Sequence, residues 1–161
     1  MDDVTNPTAS QDREVEFLRF RDDVPADEPA VSLDAFLEQT NAFSVRIEAG
    51  DDVEQLIPHL DRVNLVEIDF PKFRDGRGFS SARILREAGY KGEIKATGDV
   101  LLDLIYFMRR CGFDSFAPNS PLDRDEVDAV LNRYPHVYQD AADTDSSGTV
   151  PIWKLRHGIG G

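Results

Sequence analysis

Cysteine occurs once in this chain of 161 residues, as Cys111. An internal disulfide is therefore excluded, and the usage fits a reducing, cytoplasmic compartment. Histidine occurs three times, as His59, His136 and His157. No pair of them has metal-ligand spacing and no Cys/His cluster exists, so no metal is expected. No apolar run approaches the ~20 residues that span a bilayer. The opening residues MDDVTNPTASQDREVE are acidic and lack an apolar h-region, which argues against a signal peptide. There is no Gly-rich dinucleotide fingerprint, no Walker loop, and no haem-attachment or Fe–S cysteine set, so no cofactor is expected. No Ser-His-acid set is recognisable. Positive charge is also scarce: 18 Lys and Arg face 31 Asp and Glu, a net −13. That balance argues against nucleic acid or an anionic membrane as the main partner.

Against this background residues 69–83, DFPKFRDGRGFSSAR, stand out. An apolar, strand-like run (Leu65, Val66, Ile68, Phe70) empties into two glycines and two arginines, and two serines then open a helical pattern. A strand–loop–helix junction offers backbone N–H groups, and the helix dipole adds positive potential. The expected oxyanion site comprises Arg74, Gly76, Arg77, Gly78 and Ser80. Residues 70–112 carry nine Lys/Arg against five acids, a local reversal of sign that points to a focused positive site.

The chain reads as a tail (1–14), one α/β domain (15–139), and a loop with a C-terminal tail (140–161). Within the domain, Val15–Arg21 reads as a short strand and residues 22–31, with two prolines and four acids, as a loop. Ser32 caps a short helix through Gln39. Strands are expected at 43–48, 65–70, 93–97 and 113–117, each followed by a helix: from Asp51 or Asp52 with Pro58 inside it, over Ser80–Ala88, over Val100–Arg110 ended by Gly112, and over Leu122–Tyr134 capped near Asp123. Repeated β-α units imply a mainly parallel sheet with right-handed crossovers. The strands alternate: Phe43, Val45, Ile47, Val66, Ile68, Phe70, Ile94 and Ala96 share one face, whereas Ser44, Arg46, Glu67, Asp69, Lys95 and Thr97 share the other. A sheet covered on both faces has near-continuous apolar strands. Helices are therefore expected on one face, in a partial (β/α)-barrel-like arrangement; the alternative is flavodoxin-like.

Ligands of such sheets bind at the carboxyl ends of the strands, where Asp69, the Arg74/Arg77 loop, Asp99 and Pro118–Pro121 fall. Asp69, Lys95 and Asp99 are the candidates if the protein is catalytic. The competing expectation is that Arg46, Glu67, Asp69 and Lys95 neutralise one another across strands. Cys111 follows two arginines that favour a thiolate, but it ends a helix, where the dipole disfavours one. It is expected to be a small packed hydrophobe beside Gly112. Asp143–Gly148 resembles the start of a calcium loop. The twelfth position is Lys154 and Pro151 interrupts it, so the segment reads as a turn-rich loop.

Leu65–Ala82 (LVEIDFPKFRDGRGFSSA), Gly92–Val100 (GEIKATGDV), Arg109–Phe113 (RRCGF) and Val137-Tyr138-Gln139 resemble the bacterial domain-of-unknown-function 934 family over residues 32–139. The family's description associates it with oxidoreductases of sulfite reduction, and its members are typically encoded beside assimilatory sulfite reductase and phosphoadenylylsulfate reductase. The resemblance implies an accessory protein of sulfate/sulfite reduction that binds a small oxyanion, docks on sulfite reductase or another enzyme of the pathway, or does both. The alternative is an enzyme acting on an anionic sulfur or phosphate substrate, in that case an oxidoreductase linked to sulfite reduction. The family supplies no established catalytic residues, and this sequence shows no redox centre.

Overall fold

Ten strands and four α-helices are defined in the computed structural model, which describes residues 14–38, 41–72, 76–133, 136–137 and 150–151. In chain order these are β1 (Glu14–Val15), β2 (Leu18–Arg19), β3 (Val31–Ser32), α1 (Leu33–Glu38), β4 (Ser44–Ile47), a 3-10 helix (Val53–Arg62), β5 (Leu65–Phe70), α2 (Arg77–Glu87) and β6 (Glu93–Gly98). A one-turn 3-10 segment (Leu102–Leu104) then leads into α3 (Ile105–Cys111), followed by β7 (Ser115–Pro118), β8 (Leu122–Asp123), α4 (Arg124–Leu131), β9 (His136–Val137) and β10 (Val150–Pro151). Strands 4, 5, 6 and 7 are adjacent in that order and parallel, as the repeated β-α pattern predicts. β3 extends the sheet beyond β4 in parallel, and β2 closes the other edge antiparallel to β7, giving six strands in the order 2-7-6-5-4-3. β1 pairs antiparallel with β8, and β9 pairs with β10.

The alternation of the strands sorts the two faces. Val45, Ile47, Val66, Ile68, Phe70, Ile94, Ala96 and Phe116 join one buried cluster with Val53 and Leu56 of the 3-10 helix, Ala82 and Leu85 of α2, Ile105 and Met108 of α3, and Val127 of α4. The other face carries a row that crosses the whole sheet in register: Ser32, Arg46, Glu67, Lys95, Ser115 and Arg19.

Local chemistry sets the element ends. Ser32 Oγ accepts from Ala35 N (3.3 Å) at the start of α1, and Asp123 accepts from Asp125 N and Glu126 N at the start of α4. Asp52 caps the helix over 53–62, accepting from Glu54 N at 3.1 Å. That helix is 3-10 over its whole length, and Pro58 within it leaves one gap in its hydrogen-bond ladder. Gly112 ends α3 at φ +111° in the left-handed region, its N–H donating to the Met108 and Arg109 carbonyls.

Four expectations are corrected. The strand over Val15–Arg21 is two short pieces, β1 and β2, that pair with different partners. β3 lies at the end of a segment expected to be wholly loop. The third helix is α-helical only from Ile105. The second begins at Arg77, three residues before Ser80. The tail over 1–13, most of the segment 140–161 including the Asp143–Gly148 loop, and Arg74 lie outside the described residues.

Candidate functional site

The carboxyl ends of β5, β6 and β7 are laced together by backbone hydrogen bonds. Asp99 N donates to Phe70 O (2.7 Å), and Asn119 N donates to Gly98 O (2.8 Å). Gly98 makes this possible: its φ is +90°, and a Cβ there would lie 2.5 Å from the Phe70 carbonyl oxygen. Below the loops, Thr97 Oγ1 donates to Asp69 Oδ1 at 3.2 Å, so Asp69 faces the half-buried polar side of the sheet beside β6. Asp69 and Asp99, the two expected carboxylates, thus occupy one end of neighbouring strands.

The loop after β5 delivers α2 to the same end. Gly76 is the cap of that helix and forms no side-chain cap bond, unlike the starts at Asp52 and Asp123. The first-turn N–H groups of α2 have no intrahelical acceptor. Arg77 opens the helix, and Ser80 stands one turn on; both are exposed. The Arg77 guanidinium approaches the loop after β4, since a Cβ on Gly50 would sit 3.8 Å from Arg77 Nη1. Gly78 has a different reason to be glycine. A Cβ there would lie 2.5 Å from the Phe70 ring, so the residue lets α2 seat against β5. Ser81 Oγ turns back to donate to Arg77 O (3.0 Å).

Lys95 was expected to point onto the polar face, and it does. Its Nζ lies 2.6 Å from Glu67 Oε1, and Arg46 Nη2 lies 3.1 Å from Glu67 Oε2. Burial pushes the Glu67 carboxyl up, but the hydrogen bond and charge of Lys95, then those of Arg46, outweigh it and hold it below the ordinary range. Arg46 and Lys95 therefore share the one Glu67 carboxylate across strands, Asp69 bonds Thr97 instead, and Lys95 is committed within the sheet.

The charge reversal over 70–112 shrinks once partners are assigned. Arg86 and Arg109 turn to Asp114, Lys95 to Glu67, and Arg83 to Glu87. Extending the window to 67–114 adds Glu67, Asp69 and Asp114 and leaves a positive excess of one. At the carboxyl end Lys72 and Arg77 are exposed.

A second polar centre, at the amino ends of the strands, has no signature in the sequence. Arg86 Nη2 pairs with Asp114, and the same guanidinium donates to Gly112 O, Tyr90 O and Gly92 O at 2.8–3.1 Å. Arg21 Nη1 reaches Asp114 at 3.1 Å, Arg109 Nη1 lies 3.7 Å from it, and Ile94 N donates to it at 3.2 Å. Arg21 also binds Asp23, and its hydrogen bond chiefly holds the Asp23 carboxyl well below the ordinary range. Arg19 pairs with both Asp23 and Glu93, and Ser115 Oγ donates to Glu93 at 2.6 Å. Burial pushes the Tyr90 hydroxyl far up, and its O–H donates to Glu93 O. Every guanidinium donor of Arg86 is engaged, so this centre holds elements together.

Cys111 closes α3 and packs, half-buried, against the core. It stands beside Gly112, at the opposite end of the sheet from Arg77. Cys111→Ser is expected to shift the urea midpoint only slightly. A large fall in the urea midpoint of that variant would contradict this placement. Among the described residues no group of three or more His, Cys, Asp and Glu could hold a metal ion, and no helix is long and apolar enough to cross a membrane.

Comparison with known proteins adds one relationship. A family model described as "Bacterial protein of unknown function (DUF934)" matches residues 44–149. The match runs from β4 through β9 and takes in the start of α2; β1, β2, β3 and α1, with Arg19, Arg21 and Asp23, precede it. The chain matches no curated protein and no solved structure.

Proposed function

This chain belongs to the DUF934 family, and from that premise we propose that it is a bacterial, cytoplasmic accessory protein of assimilatory sulfate/sulfite reduction that binds a small oxyanion at the carboxyl end of its sheet. The observation that carries the reading is the start of α2. An eleven-residue helix begins at the carboxyl end of β5 on an uncapped glycine, with an exposed arginine as its first residue and an exposed serine one turn on. N–H groups, dipole and guanidinium together favour a compact anion. Gly76, Arg77 and Ser80 would contact it, with Arg74 on the same loop; Gly78 would serve by seating the helix. The pathway comes from the family resemblance, and sulfite or sulfate is the oxyanion it implies.

The single apolar core against one face of the sheet, with a charged row on the other, favours a partial (β/α)-barrel arrangement over a flavodoxin-like one. Such a sheet offers its polar face and carboxyl-end loops to a partner, and sulfite reductase is the partner proposed. The catalytic alternative draws less support: Lys95 is bound to Glu67 and Asp69 to Thr97.

Arg77→Ala is expected to slow growth with sulfate as the sulfur source while leaving growth on a reduced sulfur source and the urea midpoint unchanged. Equal growth on both sources would argue that the loop is only structural. A pull-down with sulfite reductase should lose association as salt screens charges beyond ~10 Å at about 0.1 M. No association at any ionic strength would remove the docking part of the proposal and leave anion binding.

A further inference from the structure

β2 and β3 lie on opposite edges of the six-stranded sheet, so residues 20–30 must cross its full width. Five strand spacings amount to about 24 Å, within reach of an eleven-residue strap. The strap passes the amino ends of β5 and β6. There it borders a half-open cavity of about 590 Å³ between Asp23–Ala26 and the two turns that enter those strands, Leu60–Asn64 and Gly89–Glu93. The strap is fixed at its start, where Phe20 N donates to Asp114 O (2.8 Å) and Asp23 binds Arg19 and Arg21. Val24 and Pro25, further along, are exposed.

We propose that this cavity binds a small zwitterion, an α-amino acid with an apolar side chain. The volume falls within the range of small-molecule sites. Of the charged groups on its walls, Asp23 and Glu93 are already neutralised by Arg19 and Arg21. The charges left are one of each sign, the exposed Asp61 and Lys91. They stand on neighbouring turns, which a hydrogen bond from Glu93 N to Asn64 O (3.1 Å) holds side by side. An ammonium placed at Asp61 and a carboxylate at Lys91 uses both. A simple anion would leave Asp61 unmatched, and a simple amine would leave Lys91 unmatched. Leu60 and Val63 on one side and Val24 and Pro25 on the other supply apolar walls for the side chain. The site lies at the amino ends of the strands, away from the oxyanion loop, and does not depend on it.

The test is an NMR titration of the full chain with L-leucine, isopentylamine, which lacks the carboxylate, and 4-methylpentanoate, which lacks the ammonium. Leucine should produce saturable shifts of the amides of residues 61–64 and 89–93, and each half-ligand should bind about tenfold more weakly, as expected for losing one charge-assisted contact. Asp61→Asn should weaken leucine about tenfold and leave 4-methylpentanoate unchanged; Lys91→Gln should weaken leucine equally and leave isopentylamine unchanged. Both side chains are exposed, and unchanged urea midpoints would show that the variants fold. Absence of saturable shifts in the wild type, shifts confined to other regions, or equal leucine affinity in the wild type and both variants would overturn the proposal.

Discussion

Arg86→Ala is expected to destabilise the protein by about 2–4 kcal/mol, somewhat below the range for removing one partner of a fully buried ion pair, because both side chains are part-buried. Three effects add. Asp114 loses its closest arginine. The carbonyls of Tyr90, Gly92 and Gly112 lose their shared donor. The end of α2 loses its tie to the start of β7. Arg86→Lys is expected to rescue little of this, because one ammonium cannot reproduce a planar fork that serves a carboxylate and three carbonyls. Asp114→Asn should also be severe, since Arg21, Arg86 and Arg109 converge there. Urea unfolding followed by circular dichroism reads the effect. An unfolding free energy for Arg86→Ala within about 0.5 kcal/mol of wild type, the scale of an ordinary surface substitution, would show that the network contributes little to stability.

Gly98→Ala is expected to cost about 2–4 kcal/mol, combining left-handed backbone strain with overpacking. The added Cβ would meet the Phe70 carbonyl oxygen, and that oxygen accepts the Asp99 N–H. Relief therefore requires the loops after β5 and β6 to separate. The same motion would displace Asp99 and Asn119, whose N–H groups bond to Phe70 O and Gly98 O. Gly76→Ala provides the contrast: nothing lies within 4 Å of a Cβ there, and the backbone is right-handed. It should leave the unfolding free energy within about 0.5 kcal/mol of wild type. Equal midpoints for Gly98→Ala and wild type would contradict the close approach of the two loops.

The order and direction of the central strands were legible because each strand alternates with period 2 and each is followed by a helical segment. The same alternation placed Arg46, Glu67 and Lys95 on one face, and their mutual pairing follows from parallel register. Ser32, Asp52, Asp123 and Gly112 were legible as helix ends because capping is local chemistry. The start of α2 was not. Its cap is Gly76, and the serines that looked like caps lie inside the first turns, where Ser81 bonds back to the chain. β3 was hidden because Val31 and Ser32 follow a Pro-rich acidic stretch too short to carry a period. The Arg86–Asp114 contact joins residues 28 apart through the meeting of a helix end and a strand start, which no local pattern encodes. The charge excess over 70–112 is offset in part by Glu67 and Asp114, acids just outside that window to which Lys95, Arg86 and Arg109 turn.

The central claim is that the start of α2 holds a small oxyanion. It is tested most directly by titrating sulfite into the ¹⁵N-labelled full chain and into its Arg77→Ala variant. The claim predicts saturable shifts of the Gly76–Ser80 amides in the wild type, reproduced by sulfate but not by chloride at equal ionic strength, and their loss in the variant. Unmoved Gly76–Ser80 amides in the wild type, or identical titrations of the two proteins, would contradict it.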